Sequence, residues 1–191
     1  MSATLTPPSS ATRLLTEEEF VARHGSESRI ELIDGRIVRY PMPGLKHGRV
    51  NYQLSSAFTL YLFQNPIGWV FTHDSFLRIR RNPDRVRGAD LIFISYDRLP
   101  QDAEIVAGVM THVPELVGEV KSPSDTWNEV FGKVEDYLTL GVTAVLVVDP
   151  ESRTVLVLRR DQPQQTFAEA DTLTVPDVLP GFAVPVANLF A

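Results

Sequence analysis

Three side chains in this sequence have the types and the spacing to act together on a substrate. Glu119 and Lys121 stand two positions apart in Pro114-Glu115-Leu116-Val117-Gly118-Glu119-Val120-Lys121-Ser122-Pro123, an apolar, β-branched run with prolines at both ends. Such a run reads as a strand. Residues i and i+2 of a strand share a face, so Glu119 and Lys121 stand side by side while Val120 turns to the other face. A carboxylate and an ammonium in an otherwise apolar strand cost stability unless they are paired, hydrated or bound to a metal. Upstream, Arg87-Gly88-Ala89-Asp90-Leu91-Ile92-Phe93-Ile94 forms a second apolar strand led by one acid, Asp90. Two acids and a lysine on such strands point to metal-dependent phosphodiester chemistry. Hard divalent cations with oxygen ligands activate water and stabilise a leaving oxygen.

The elements that must position these groups follow from periodicity. Thr16 caps a short helix running to His24-Gly25, with Glu19 in the capping-box position. Residues 29–33 and 36–40 are two strands joined by Asp34-Gly35, a strong hairpin signal because both turn residues must accept positive φ. From His47 to Gln64, Val50, Leu54, Phe58, Tyr61 and Leu62 recur at helical spacing, and Asn65-Pro66 ends the helix. Residues 69–71 and 76–80 read as two separate strands, with Asn82-Pro83-Asp84 as the turn before the Asp90 strand. After the Glu119 strand comes a helix from Asn128 to Leu140, with Val130, Val134, Tyr137 and Leu138 inward and Gly141 as its stop. Val142 to Val148 is a continuous apolar strand of the kind buried on both faces. The Glu119 strand, this helix and that strand form one crossover unit, so the two strands are expected to be parallel and the crossover right-handed. Edge strands are expected near 154–159, 165–168 and 172–175, and a last turn at 188–190.

The 191 residues suit one α/β domain over 14–191, preceded by a flexible lead at 1–13 rich in Ser, Thr and Pro. With 43% hydrophobic residues there is enough material for a core. The absence of cysteine excludes a disulfide scaffold and a thiolate metal site. No run is long and apolar enough for a membrane helix, and the N-terminus lacks the pattern of a secretory signal. The expectation is a soluble, cytoplasmic protein. A net charge of −6 argues against broad charge-driven nucleic-acid binding, although acids at a metal site contribute to that balance. Arg78, Arg80, Arg81, Arg85 and Arg87 cluster ahead of Asp90. They are either a solvated hairpin or a phosphate-facing rim.

Asp90 followed some thirty residues later by Glu119-Val120-Lys121 resembles the PD-(D/E)xK nuclease signature. More closely, the chain resembles the Uma-type putative restriction endonuclease family of that superfamily. The resemblance is carried by Glu31-Leu32-Ile33-Asp34-Gly35, His47-Gly48, Arg87 to Asp90, and Leu116 to Ser124. It continues through Lys133, Tyr137, Gly141 and Val148-Asp149-Pro150 to Leu179-Pro180-Gly181-Phe182. It covers residues 14–190, and its specificity lies in order and spacing rather than in any one motif. Two departures stand out. Ala89 precedes Asp90 where the family has proline, and both Lys121 and Lys133 are present where many members keep only the lysine on the helix.

The resemblance implies a restriction-endonuclease-like core, a mixed β-sheet flanked by helices, that hydrolyses DNA with Mg²⁺ or Mn²⁺. Asp90 would be the bridging metal ligand and Glu119 the second, with the Val120 carbonyl completing the shell. Lys121 would assist the attacking water. Glu31 resembles the extra acid that other superfamily members bring to the metal, and His47 would contact a phosphate or a metal-bound water. Which of Lys121 and Lys133 faces the site is left open. Each residue also has a plain structural role open to it: strand-edge cap for Asp90, same-face salt bridge for Glu119 and Lys121, hairpin charge for Glu31, helix start for His47, solvated helix face for Lys133. Trp69 and Trp127 read as core or interface, Trp127 lying in the loop beside the site. Two other classes compete with the endonuclease. One is a catalytically silent nuclease-fold protein that binds nucleic acid or a protein partner. The other is a homodimer joined through C-terminal edge strands.

Overall fold

The computed structural model describes residues 13–105 and 107–191; most of the expected flexible lead lies outside the described residues. Helix α1 (Glu17–His24) opens with the Thr16–Glu19 capping box. Strands β1 (Ile30–Ile33) and β2 (Arg36–Arg39) form the hairpin, with Asp34 at φ 53° and Gly35 at φ 73° as that turn requires. Helix α2 (Leu45–Gln64) follows, then strands β3 (Gly68–Arg80), β4 (Arg85–Ser95) and β5 (Leu116–Val120). Helix α3 (Trp127–Leu140) leads to β6 (Ala144–Asp149), β7 (Thr154–Leu158) and β8 (Gln165–Phe167). Strands β9 (Thr172–Leu173) and β10 (Val184–Pro185) make a separate two-stranded ribbon, and α4 (Val186–Leu189) closes the chain.

The main sheet runs β2-β1-β4-β5-β6-β7-β8, with β3 also paired to β4. The β5–β6 pair is parallel, as the crossover demands, and the other pairs are antiparallel. Two expectations change. The strands expected at 69–71 and 76–80 are one strand, β3, whose register against β4 shifts between Thr72 and Ser75 while His73 takes φ 63°. A bulge absorbs the one extra residue and keeps the ladder continuous. The segment expected as edge strand at 172–175 leaves the main sheet to pair with β10.

Strand alternation sorts the core. Leu116 and Val120 of β5, with Ala144, Leu146 and Val148 of β6, pack with Val50, Leu54 and Phe58 of α2 and with the C-terminal segment. Val117 of β5, with Val145 and Val147 of β6, packs with Val130, Val134 and Tyr137 of α3. Gly118 lies where a Cβ would meet Leu54 and Leu91 side chains at 3.3 Å, so the missing side chain lets α2 settle against β5. Glu119 has the parity of Val117 and therefore points toward α3. Helix α3 is fixed at both ends by the Thr126–Glu129 capping box and by Gly141 at φ 109°.

Candidate active site

Asp90, Glu119, Val120, Lys121 and Lys133 line one cavity at the C-terminal end of β5, with Tyr40 and Asp125 in its wall. Asp90 is buried, and both bonds that hold it end on Oδ2. The Val120 N–H donates to it at 2.8 Å, and His47 Nε2 lies 3.2 Å away. Burial alone would raise the Asp90 pKa; the hydrogen bond and charge of His47 and the Val120 N–H outweigh it and hold the carboxyl below its ordinary range. His47 thus reaches across from the first turn of α2 to steady the acid.

Glu119 is buried between two donors from α3. The Tyr137 hydroxyl donates to Oε1 at 2.6 Å and Lys133 Nζ to Oε2 at 3.0 Å. These two donors are four residues apart, on one face of the helix. Burial, with Asp90 and Glu31 nearby, pushes the Glu119 pKa up to about 7 even though Lys133 opposes the shift. Burial also works against the Lys133 charge, but Glu119, Glu31 and Asp90 surround it and raise its pKa.

Glu31 is saturated. Its oxygens accept from Arg87 Nη1 at 2.6 Å, the Tyr40 hydroxyl at 2.8 Å and the Gly88 N–H at 3.2 Å, and Lys133 Nζ lies 3.2 Å away. Burial would raise its pKa, yet Lys133 and Arg87 bring it below the ordinary value. Lys133 is therefore the ammonium that bridges the two acids. Lys121 goes elsewhere: its Nζ is 3.5 Å from the Ser122 carbonyl and 5.5 Å from the centre of the Trp127 ring. Among the described residues no carboxylate pairs with Lys121 in a salt bridge. The same-face placement of Glu119 and Lys121 brings both to the cavity without joining them.

The arginine cluster proves structural. Arg78 binds Glu17, Arg80 binds Asp34, and Arg81 binds Glu18 and Asp84. Arg85 joins Asp34 to Asp136, and Arg87 joins Glu31 to Asp136. Of the two readings open for this cluster, neither a fully solvated hairpin nor an unpaired phosphate-facing rim describes it: the arginines form ion pairs that are buried at Arg87 and exposed at Arg80 and Arg81. Sequence reasoning also passed over three groups. Tyr137, an inward helix position that also carries the family resemblance, has no site role in the sequence reading, although its spacing from Lys133 is visible. Tyr40 is placed by the hairpin register, which sets its backbone N–H on the Arg29 carbonyl and its hydroxyl near Glu31. Asp125 accepts the Ser122 N–H at 2.8 Å and also lines the cavity.

The donor set is one of hard oxygens. Among the described residues no group of three or more His, Cys, Asp and Glu side chains is arranged to hold a metal. Two buried carboxylates on one cavity nevertheless suit Mg²⁺, which is usually held by one or two carboxylates and completed by water and substrate phosphate. The residues present fit such an ion.

The mixed sheet with one parallel crossover and helices on both faces is the architecture expected of a restriction-endonuclease-like core, with Asp90 and Glu119 buried where β4 meets β5. The sequence profile of the Uma2 family, described as putative restriction endonucleases, matches residues 17–187, and the chain belongs to that family. The structure is similar to the crystal structure of a putative nuclease belonging to DUF820 from Anabaena variabilis ATCC 29413. The TM-score is 0.79 at 23% identity, over 92% of this chain and 97% of that one. A comparison with curated proteins finds no match.

Proposed function

We propose that this protein is a metal-dependent endonuclease that hydrolyses DNA phosphodiester bonds at the Asp90–Glu119 cavity. The observation that carries the reading is the convergence on one cavity of two buried acids and two lysines from β4, β5, its C-terminal flank and α3. Membership of the family and the nuclease described among similar structures support it. Asp90 and Glu119 would hold Mg²⁺ or Mn²⁺. Because the Lys121 N–H is bonded to Val148 on β6, alternation turns the Val120 backbone groups toward β4 and Asp90, which favours the Val120 carbonyl as a third donor. When bound, the ion would supply a nucleophilic water and charge stabilisation at the phosphate.

This chain's own groups divide the remaining work. His47 orients Asp90. Tyr137 and Lys133 orient Glu119. Glu31, already saturated by four donors, serves as the anchor of Lys133 rather than as a further ligand. Lys121 has no anionic partner in a salt bridge among the described residues, so its ammonium is available to the attacking water or the scissile phosphate. The test is conversion of supercoiled plasmid to nicked or linear form in Mg²⁺ or Mn²⁺. Cleavage that stops in EDTA and in Asp90→Ala and Glu119→Ala is expected; cleavage that persists in both variants would refute the assignment.

One observation favours a second reading. The Lys133 ammonium already lies between Glu31 and Glu119, where it neutralises the acids internally. On that reading the protein binds nucleic acid or a protein partner without cutting it. DNA binding would then be indifferent to Glu119→Ala, with no turnover in any divalent ion.

A further inference from the structure

Two aromatic side chains beside the cavity have no role in the core. Trp127 and Phe131 are 39% and 40% exposed, lie one helical turn apart at the start of α3, and stack at 5.5 Å between ring centres with planes 29° apart. Lys121, whose ammonium sits 5.5 Å from the Trp127 ring, links that ring to the cavity holding Asp90 and Glu119. On the far side, Phe131 shares a second surface depression with Arg160, which is exposed and donates to the Leu138 carbonyl at 2.8 Å, and with the acids Glu135 and Asp161. The order across α3 is therefore cation, ring, ring, cation, starting at the candidate cleavage site. Grooves that hold unpaired nucleic acid combine these same elements, rings for bases and cations for the backbone.

Resting on the nuclease reading above, we infer that Trp127 and Phe131 form a stacking platform for an unpaired base next to the scissile phosphate, and that the substrate is single-stranded DNA or a duplex with an unpaired segment. A base within intact duplex has both faces covered by its neighbours and cannot stack on a protein ring. The rest of the surface argues the same way. The β3–β4 arginines, the densest basic segment of the chain, are all paired with carboxylates, so the positive charge a duplex backbone would meet there is largely offset.

The test uses the full chain carrying Trp69→Phe, so that Trp127 is the sole tryptophan, titrated in Ca²⁺ with an oligothymidine strand and with a duplex of equal length. The strand is expected to quench the emission and to bind about tenfold or more tighter than the duplex. Neither Trp127 variant keeps a tryptophan, so their affinities are read from the anisotropy of a dye-labelled strand; loss of the stacking of one base in Trp127→Ala should weaken strand binding about 10- to 100-fold. Trp127→Phe, which keeps a ring, should stay within about threefold of the parent. Equal affinity for strand and duplex, or an unchanged affinity in Trp127→Ala, overturns the inference; if Mg²⁺-dependent plasmid cleavage persists, the nuclease reading stands without it. Failure to bind or cleave either form overturns both. A blue shift of the emission on concentrating the protein alone means that a second copy covers the rings, and it also overturns the inference.

Discussion

The β3–β4 hairpin and the β5–α3 crossover are built from the same side-chain types, and they use them in opposite ways. On the hairpin every arginine from Arg78 to Arg87 meets a carboxylate from elsewhere in the fold, and Arg87 and Arg85 share Asp136 of α3. Those charges hold α1, the β1–β2 turn and α3 to the sheet. On the crossover, Glu119 is forced beside Asp90 and Glu31 in a buried place and its pKa rises, while Lys121 faces the cavity. The lesson is that charge density along a sequence says little about where chemistry occurs. Charges that the fold leaves mutually repelling, or without an opposite partner, are the ones available to a ligand.

The contrast can be broken by mutation, and the largest effect belongs to the crossover. Glu119→Gln preserves shape and the Tyr137 contact, yet should lower cleavage by up to about 10³-fold, because loss of the ligand removes the ion's stabilisation of transition-state charge. Gel-based kinetics check this, with circular dichroism showing the fold intact. On the hairpin the large effect is on stability. Arg87→Ala leaves Glu31 and Asp136 buried without their shared cation and should cost about 3–5 kcal/mol, measured by urea unfolding. Lys121→Met should show the inverse pattern, with cleavage down about 10²-fold and stability within about 1 kcal/mol of the parent.

Acidity sharpens the comparison further. The folded protein keeps a proton on Glu119 up to about pH 7, whereas a carboxyl of ordinary pKa, 4.5, has already lost it in the unfolded chain. The contribution of this group to stability is thus fully present below pH 4.5 and is lost as pH rises toward 7. In EDTA, the melting temperature of the wild type should fall relative to that of Glu119→Gln between pH 5 and pH 8. A constant difference would mean that Glu119 titrates normally. The smallest effect is expected for Arg80→Ala, whose partner Asp34 is, like it, more than one-third exposed; denaturation should show a loss of no more than about 1 kcal/mol.

Much of this was legible in the sequence because it rests on local rules. The capping box at Thr16, the Asp34-Gly35 turn and the period of α2 are set by residues a few positions apart, and the parallel β5–β6 pair follows from a strand–helix–strand pattern. Asp90, Glu119 and Lys121, the residues of the motif, line one cavity together with Lys133. What the sequence hid depends on long-range partners. No local signal says that Arg87 will meet Glu31 and Asp136, so a solvated hairpin and a phosphate rim looked alike. Nor does spacing alone decide between the two lysines. Lys133 reaches Glu119 because α3 folds back over the β5 face that carries the acid, while Lys121 follows the chain past the end of β5. The bulge at His73 was hidden for a similar reason, since only pairing with an unbroken β4 shows residues 69–80 to be one strand.

The most direct test of the account is calorimetric titration of Mn²⁺ into the wild type, Asp90→Asn and Glu119→Gln, each with a short DNA strand present. The account predicts saturable binding to the wild type that is lost in both variants, because two carboxylates and the substrate phosphate share the ion. Binding of equal strength in all three proteins, or none in the wild type with DNA bound, would contradict it.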